Sequence, residues 1–337
     1  MFLRTGLTAL LLSSTAAVAA EGPTQYPLTI ENCGETISFD AAPGAAVSVG
    51  QAATEILYSL GLGAKVAGTS VWFSEVLPEF ADLNAGIERL ADNDPSFESV
   101  VAKKPGLVAV QYEWHVGPEG IVATRQQFHD LAIPTYILPT DCVAKDNSTG
   151  ADGTRLAMFS TASVHQGIRE LAAIFDVAAN GEALVADLMA REAAAVEKAQ
   201  ALGLKDASAL FWFSSTELAA DPFVSGQKGA PGYMMEKLGL RNVVESDEEW
   251  PTVGWETLAK ADPTVIVIAS MDRRRFEADD AEKKLEFLKT DPVASQMTAV
   301  KEGRIVVMDA QTMDATIRSV SGVEELADAL ESYGLAQ

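Results

Sequence analysis

The chain has 337 residues, 48% of them hydrophobic and 22% charged, a globular balance that excludes a disordered or collagen-like protein, and its length favours two lobes. Acidic residues outnumber basic ones 48 to 25, for a formal charge of −23; such a surface repels phosphate backbones and anionic lipid heads and argues against nucleic-acid and peripheral membrane roles. Past the N-terminus no apolar run reaches the roughly 20 residues of a bilayer span, which excludes a polytopic membrane protein.

Residues 1–20, MFLRTGLTALLLSSTAAVAA, read as an export signal. Arg4 is its positive start, Leu7 to Leu12 its apolar middle, and Ala17-Val18-Ala19-Ala20 its small-residue cleavage region, with the cut after Ala19 or Ala20. Cys33 and Cys142 are the two cysteines. In an exported chain they are expected to form a disulfide tying the first strand to the loop after Tyr136-Ile137-Leu138; two unpaired buried thiols are the alternative.

Short apolar runs at 46–49, 66–68, 106–110 and 135–138 alternate with helically spaced stretches at 54–60, 97–102 and 121–131, the pattern of βα units around a mainly parallel sheet. A polar, Gly-containing break at 146–153 ends this set. Residues 164–175 form one amphipathic stretch, and Gly181 to about Leu202, free of internal Gly and Pro, predicts a stiff helix of about 20 residues, roughly 30 Å long. The alternation resumes at 209–213, 233–238, 255–261, 265–269 and 305–308, and a last helix runs from about Ser319 to Tyr333. The expected fold is α/β: two lobes with mainly parallel sheets, 21–178 and 204–337, joined by a single long rigid helix, 179–203, with a ligand cleft between them.

Aromatic residues fall after strands. Trp72 and Phe73 follow the second apolar run; Tyr112, Trp114 and His115 follow the third; Trp212 ends the first run of the second lobe; Trp250 and Trp255 flank a helix start. Ligands of α/β sheets bind outside the carboxyl ends of the strands, and an indole-lined cleft suits a bulky, partly apolar guest. Ordinary packing is the alternative for these residues, above all for Trp212 and Trp250.

Catalytic and metal motifs are weak. Ser225-Gly226-Gln227-Lys228 fits S-x-x-K, but no S-D-N or K-T-G follows; Gly61-Leu62-Gly63 precedes a strand, and there is no G-x-S-x-G or P-loop. An exported serine hydrolase is the reading from another class, and no enzyme activity is expected. His115, His129 and His165 lack the spacing of a metal site, so neither a metal nor a cofactor held by the chain itself is expected.

In order along both lobes, the motifs resemble the periplasmic solute-binding proteins for iron–siderophore complexes, cobalamin and haem that feed ABC importers. Val47-Ser48-Val49-Gly50-Gln51-Ala52-Ala53-Thr54-Glu55-Ile56-Leu57, then Leu60-Gly61-Leu62 and Val66-Ala67-Gly68-Thr69-Ser70, are similar to the family's opening strand, helix and second strand. Pro95-Ser96-Phe97-Glu98-Ser99-Val100 with Lys104-Pro105-Gly106-Leu107-Val108 is similar to its next motif, with Gly106 in place of the usual acid. In the second lobe Pro222-Phe223-Val224-Ser225-Gly226, Leu238-Gly239-Leu240-Arg241-Asn242-Val243, Trp250-Pro251-Thr252-Val253-Gly254-Trp255-Glu256 and Asp262-Pro263-Thr264-Val265-Ile266-Val267-Ile268 continue the likeness.

The resemblance implies two Rossmann-like lobes with little hinge bending, a monomer in the periplasm, and capture of a ferric siderophore or related bulky chelate. It also implies docking on an inner-membrane ABC permease with basic loops, through one acid per lobe, by position Glu98 and Glu236. The expected ligand-binding residues are Trp72, Tyr112, Trp114, His115, Trp255, Arg273 and Arg318. Arg273, Arg274, Arg275, Arg318 and Lys228 are the bases best placed for anionic oxygens, guanidinium offering paired donors; a solvated loop is the alternative for the tandem arginines. Asp92 and Asp94 border the cleft, with helix capping the alternative for Asp94. A haem or a cobalamin is the second reading of the ligand, Tyr112 or His115 being the candidate axial ligand for haem; a neutral hydroxamate or corrinoid would need no such bases.

Overall fold

The apolar runs fold into two five-stranded sheets. Residues 22–149 and 152–335 are described in this computed structural model; the export signal and its cleavage points lie outside the described residues. The chain enters through an antiparallel hairpin, β1 (Leu28–Asn32) and β2 (Glu35–Phe39). The first sheet then forms from β3 (Ala46–Val49), α1 (Gln51–Ser59), β4 (Val66–Ser70), α2 (Ala81–Ala85), β5 (Arg89–Ala91), α3 (Phe97–Val101), β6 (Leu107–Val110), α4 (Arg125–His129) and β7 (Thr135–Ile137). Its strand order is β5-β4-β3-β6-β7, and every pair is parallel. β3 and β6 are buried at every position, as continuous apolar runs covered on both faces must be.

A small hairpin, β8 (Lys145–Asp146) and β9 (Thr154–Arg155), follows, then α5 (Thr161–Ile174) and the long α6 (Ala178–Ala201). The second lobe comprises β10 (Ser208–Ser214), β11 (Phe223–Val224), α7 (Ala230–Lys237), β12 (Arg241–Asn242), α8 (Trp255–Ala261), β13 (Val265–Ser270), α9 (Ala281–Thr290), α10 (Thr298–Lys301), β14 (Ile305–Asp309) and α11 (Ser319–Ser332). Here β10, β13 and β14 run parallel, with β12 parallel to β10 and β11 antiparallel at the edge.

Two helical expectations differ from the structure. Gly181 is not a helix start: α6 already begins at Ala178, and a Cβ on Gly181 would lie 2.6 Å from the Ala172 Cβ. That glycine lets α5 and α6 approach closely. The stretch at 121–131 is helical only over α4, because Thr124 caps the helix through a reciprocal box with Gln127.

Cys33 and Cys142 are disulfide-bonded, with Cα atoms 5.6 Å apart. Their separation of 109 positions corresponds to about 4–5 kcal/mol of stabilisation in the chain-entropy account. The bond anchors the base of the β8–β9 hairpin.

One apolar cluster runs from the first sheet through α5, α6 and α11 to the inner face of the second sheet, where Phe211 and Val267 point. A separate cluster covers the outer face of that sheet, where Leu210, Trp212, Ile266 and Ile268 point. The period-2 alternation of strands sorts neighbouring residues to opposite faces.

Charged contacts also cross between the lobes. Glu55 on α1 is fully buried and receives both the Nε (2.8 Å) and the terminal nitrogen of Arg318, beside α11. Gln51 Nε2 (3.1 Å) and the Leu77 amide (3.3 Å) donate to the same carboxylate, and Arg318 also donates to the Glu75 carbonyl at 2.7 Å. Such a pair is tolerated in a low-dielectric interior only when its remaining hydrogen-bonding capacity is satisfied.

Lys284 on α9 is fully buried and donates to the carbonyls of Phe213 and Ala269, the latter at 2.8 Å. Burial, partly offset by Asp279 and Asp280 and reinforced by Arg274, lowers its pKa to about 7. Unfolded lysine titrates near 10.4, so between about pH 7 and pH 10 the unfolded chain holds a proton there that the folded chain does not. The stability contributed by the neutral amine is therefore present above about pH 10 and is lost as pH falls towards 7. In denaturant titrations, a Lys284→Met variant is expected to gain on the wild type by up to about 4 kcal/mol as pH falls from about 10 to about 7, on top of a constant offset for the two carbonyls. Parallel pH profiles would contradict this assignment.

Candidate ligand cleft between the lobes

Strands β4, β6 and β7 of the first sheet and β10, β13 and β14 of the second end towards one gap, and residues at or just past their ends line it. Its volume is about 430 Å³, within the range of small-molecule sites. Past β4, β6 and β7 come Phe73, Tyr112 with Trp114, and Asp141; from the β8–β9 hairpin come Lys145, Asn147, Asp152 and Gly153. Opposite them, Phe213 and Ser214 end β10, Arg273, Arg275, Phe276 and Asp279 follow β13, and Asp314 follows β14. Phe223, Glu249 and Trp250 complete the wall. Seven of these side chains are aromatic.

The β8–β9 hairpin reaches from the first lobe onto the second. Arg155 N donates to Asp247 O at 3.0 Å, Glu249 N donates to Gly153 O at 3.1 Å, and the Arg155 guanidinium meets Glu249 at 2.5 Å. At the other end, Phe73 O accepts the amides of Asp272 (2.9 Å) and Arg273 (3.0 Å). On the floor, Gln111 Nε2 donates to Gln311 Oε1 at 3.4 Å, and the Tyr112 hydroxyl donates to Asp314 Oδ2 at 2.5 Å. The lobes are thus fastened at both ends of the gap and beneath it.

Of the residues expected to bind ligand, Tyr112, Trp114 and Arg273 are on the wall. Trp114 is 45% exposed, a large fraction for an indole and one that leaves its face open to a guest. His115 lies behind it, fully buried, with Nδ1 3.2 Å from Tyr112 O and Nε2 3.2 Å from Asp94 Oδ1. Both ring nitrogens are engaged. The His115 hydrogen bond holds the Asp94 carboxyl below its ordinary value.

Three expected residues are elsewhere, and each for a visible reason. The backbone at Val71 has φ 60°, a region β-branched residues rarely enter; beyond that kink Phe73 lines the gap, while Trp72 is buried with Nε1 3.2 Å from Thr69 Oγ1 and Arg89 stacked 4.8 Å from its ring. Trp255 opens α8 and packs into the outer cluster, 4.8 Å from Trp212 and 5.0 Å from Phe287. Arg318 is consumed by Glu55. Among the other bases, Arg275 lines the gap, Arg274 faces Asp280 at 3.8 Å, and Lys228 pairs with Asp247 at 2.7 Å. Asp92 forms a surface pair with Arg89 at 3.1 Å.

Ser225 is buried and donates to the Gly226 carbonyl at 2.9 Å. With Lys228 turned to Asp247, the two do not form a nucleophile–base pair. Glu98 on α3 and Glu236 on α7 are exposed, one in each lobe.

Burial pushes the Tyr112 phenol well above its ordinary pKa and raises that of Asp314, so the pair is a neutral phenol donating to a carboxyl group. Burial likewise raises Asp152. Trp250, for which the sequence left cleft and ordinary packing both open, lies on the wall, its ring 4.8 Å from that of Phe213. Phe213 was legible in principle: its neighbour Trp212 belongs to the outer cluster, so alternation sends Phe213 inward. For Phe223, in the two-residue edge strand β11, and for Phe276 and Asp314, on loops, the sequence carries no comparable signal.

Residues 47–312 match the family model described as periplasmic binding protein. Among curated proteins, the uncharacterized ABC transporter substrate-binding lipoprotein YvrC of Bacillus subtilis is 23% identical over 310 residues, covering 90% of this chain and 86% of the relative. Among solved structures, a periplasmic binding protein from Veillonella parvula is 23% identical with a TM-score of 0.74, over 90% of this chain and 97% of that one. A structure from Saccharomonospora viridis, described as an ABC-type Fe3+-hydroxamate transport system, is 24% identical with a TM-score of 0.72, over 91% and 99%. The periplasmic heme-binding protein RhuT from Roseiflexus sp. RS-1 is 19% identical with a TM-score of 0.66, over 87% and 99%.

Proposed function

The chain belongs to the periplasmic binding protein family, the substrate-binding proteins of ABC transporters and not enzymes, and on that premise we propose that it captures an iron–siderophore-type chelate in the periplasm and delivers it to an inner-membrane ABC permease. The observation that carries this reading is the cleft itself: seven aromatic side chains interleaved with ten polar or charged ones, contributed by both lobes. Flat aromatic walls bury a bulky, partly apolar guest, and the polar groups orient it. The likeness to the Saccharomonospora protein, described as part of a Fe3+-hydroxamate system, supports it.

Haem is the second reading, supported by the likeness to the Roseiflexus protein. To serve as an axial ligand, Tyr112 would have to give up its bond to Asp314 and lose a proton that burial holds tightly. His115, fully buried, would have to free one ring nitrogen, from Asp94 or from the Tyr112 carbonyl, and turn it to the cleft. A chelate whose iron is already fully coordinated makes neither demand.

Tryptophan fluorescence titrated with ferric hydroxamates, ferric catecholates, cobalamin and haem tests the reading. Saturable quenching by a ferric siderophore is expected, with much of its amplitude lost in Trp114→Phe and Trp250→Phe but kept in Trp255→Phe. Trp114→Ala is expected to weaken affinity roughly 2- to 10-fold, the scale of one aromatic contact. A Soret shift with haem and no response to siderophores would favour the haem reading, and silence with every class would end both.

Delivery is assigned to Glu98 and Glu236, exposed carboxylates that basic permease loops would meet as charge-assisted pairs. Reversing both charges is expected to abolish uptake while ligand affinity stays unchanged; a loss of affinity would contradict the assignment.

A further inference from the structure

The charges on the cleft wall are unevenly occupied. Asp141 accepts from Lys145 Nζ and the Glu113 amide, each at 2.6 Å. Glu249 is held by Arg155, and Asp314 by Tyr112 and the Ala315 amide. Asp279 accepts from Ser214 Oγ (2.5 Å) and the amides of Arg275 (2.7 Å) and Phe276 (2.9 Å). These carboxylates are already supplied with donors by the protein, and burial favours the neutral form of Asp152.

The guanidinium groups are in the opposite condition. Among the described residues neither Arg273 nor Arg275 has a carboxylate within ion-pair distance, although Arg274 between them faces Asp280. The Arg273 Nε is buried without a hydrogen-bond partner. In a chain with 48 acids and 25 bases, the half-buried Arg273 and its exposed neighbour Arg275 both reach the cleft without a carboxylate partner among the described residues. Arg273 is also held in place: its backbone is bonded to Phe73 O, and its guanidinium lies 3.8 Å from the centre of the Phe73 ring. Stacking occupies the face of a guanidinium and leaves its in-plane N–H donors to meet oxygens edge-on, the geometry of a carboxylate.

We infer that Arg273 and Arg275 form a subsite for carboxylate oxygens carried by the ligand, so that the cleft selects a chelate bearing free carboxylates over a neutral or cationic one. This rests on the chelate-capture reading and goes beyond it by fixing the charge of the guest. A protonated amine on the ligand would find the wall's carboxylates already engaged. Two sources supply the required oxygens: α-hydroxycarboxylate ligands around iron and the propionate arms of a porphyrin.

The test is fluorescence titration of the full chain with ferric citrate, haem, a ferric catecholate and ferrioxamine B, a trihydroxamate without free carboxylates. At least one carboxylate-bearing probe is expected to bind about tenfold or more tightly than ferrioxamine B. Arg273→Ala with Arg275→Ala should erase that preference, leaving ferrioxamine B within about twofold; Arg273→Lys with Arg275→Lys should restore only part of it, since lysine keeps the charge without the fork. Arg274→Ala is the control expected to change nothing. Carboxylate affinity should also fall as salt rises, through screening of the subsite. Citrate and haem are told apart by which one saturates, and only haem carries a Soret band. Among the described residues neither arginine forms an ion pair, so the variants should lose only the contribution of the Arg273–Phe73 stack and unfold slightly below the wild-type temperature. Ferrioxamine B binding at least as tightly, arginine-dependent binding of the catecholate alone, or a double alanine variant with undiminished carboxylate affinity would overturn the subsite and leave chelate capture standing. No binding by any probe would overturn both.

Discussion

The ion pair between Glu55 and Arg318 fastens one lobe to the other in a place that water does not reach. Removing one partner from such a pair typically costs about 3–5 kcal/mol, because the other charge is left buried alone. The two residues are 263 positions apart, so the contact exists only once both lobes are built and seated. With the hairpin bridge at Arg155 and Glu249, and the shared bonds at Phe73 O, it holds the strand ends of the two sheets at a set spacing. The cleft is therefore a consequence of how the lobes are joined rather than a feature of either lobe.

Helix α6 contributes differently. At 24 residues it is about 36 Å long, and it is tied to α11 by Arg191–Glu324 at 2.6 Å and Lys198–Asp328 at 2.9 Å. Exposed pairs of this kind are individually weak. The apolar cluster that α5, α6 and α11 share with both sheets gives the joint most of its stiffness. A hinge needs a few residues that can swing with little loss of contact; here any swing would open that cluster and strand buried charges.

Much of this was legible in the sequence, because its causes are local. Continuous apolar runs predict buried parallel strands, and β3, β6 and β13 follow that pattern. Tyr112, Trp114 and Arg273 lie just beyond strand ends, where the topology of α/β sheets places ligands. The misplaced residues depend on information that is not local. Trp72 and Phe73 differ by one position, and the backbone turn at Val71 decides which faces the gap. Trp250 and Trp255 are similar indoles near one helix start, yet the outer cluster claims the second. Arg318 carries the same guanidinium as Arg273; what separates them is a buried carboxylate on the other lobe.

The account's central claim is that the gap is set before any ligand arrives. Spin labels at Asp82 and Glu256, exposed positions in the first and second lobes, would report the spacing directly by pulsed electron–electron resonance. The account predicts one narrow distance distribution, unchanged within about 1 Å at saturating ligand, and broadened when Glu55→Ala releases Arg318. A ligand-induced shortening of more than about 2 Å, the scale of hinge closure, would contradict it.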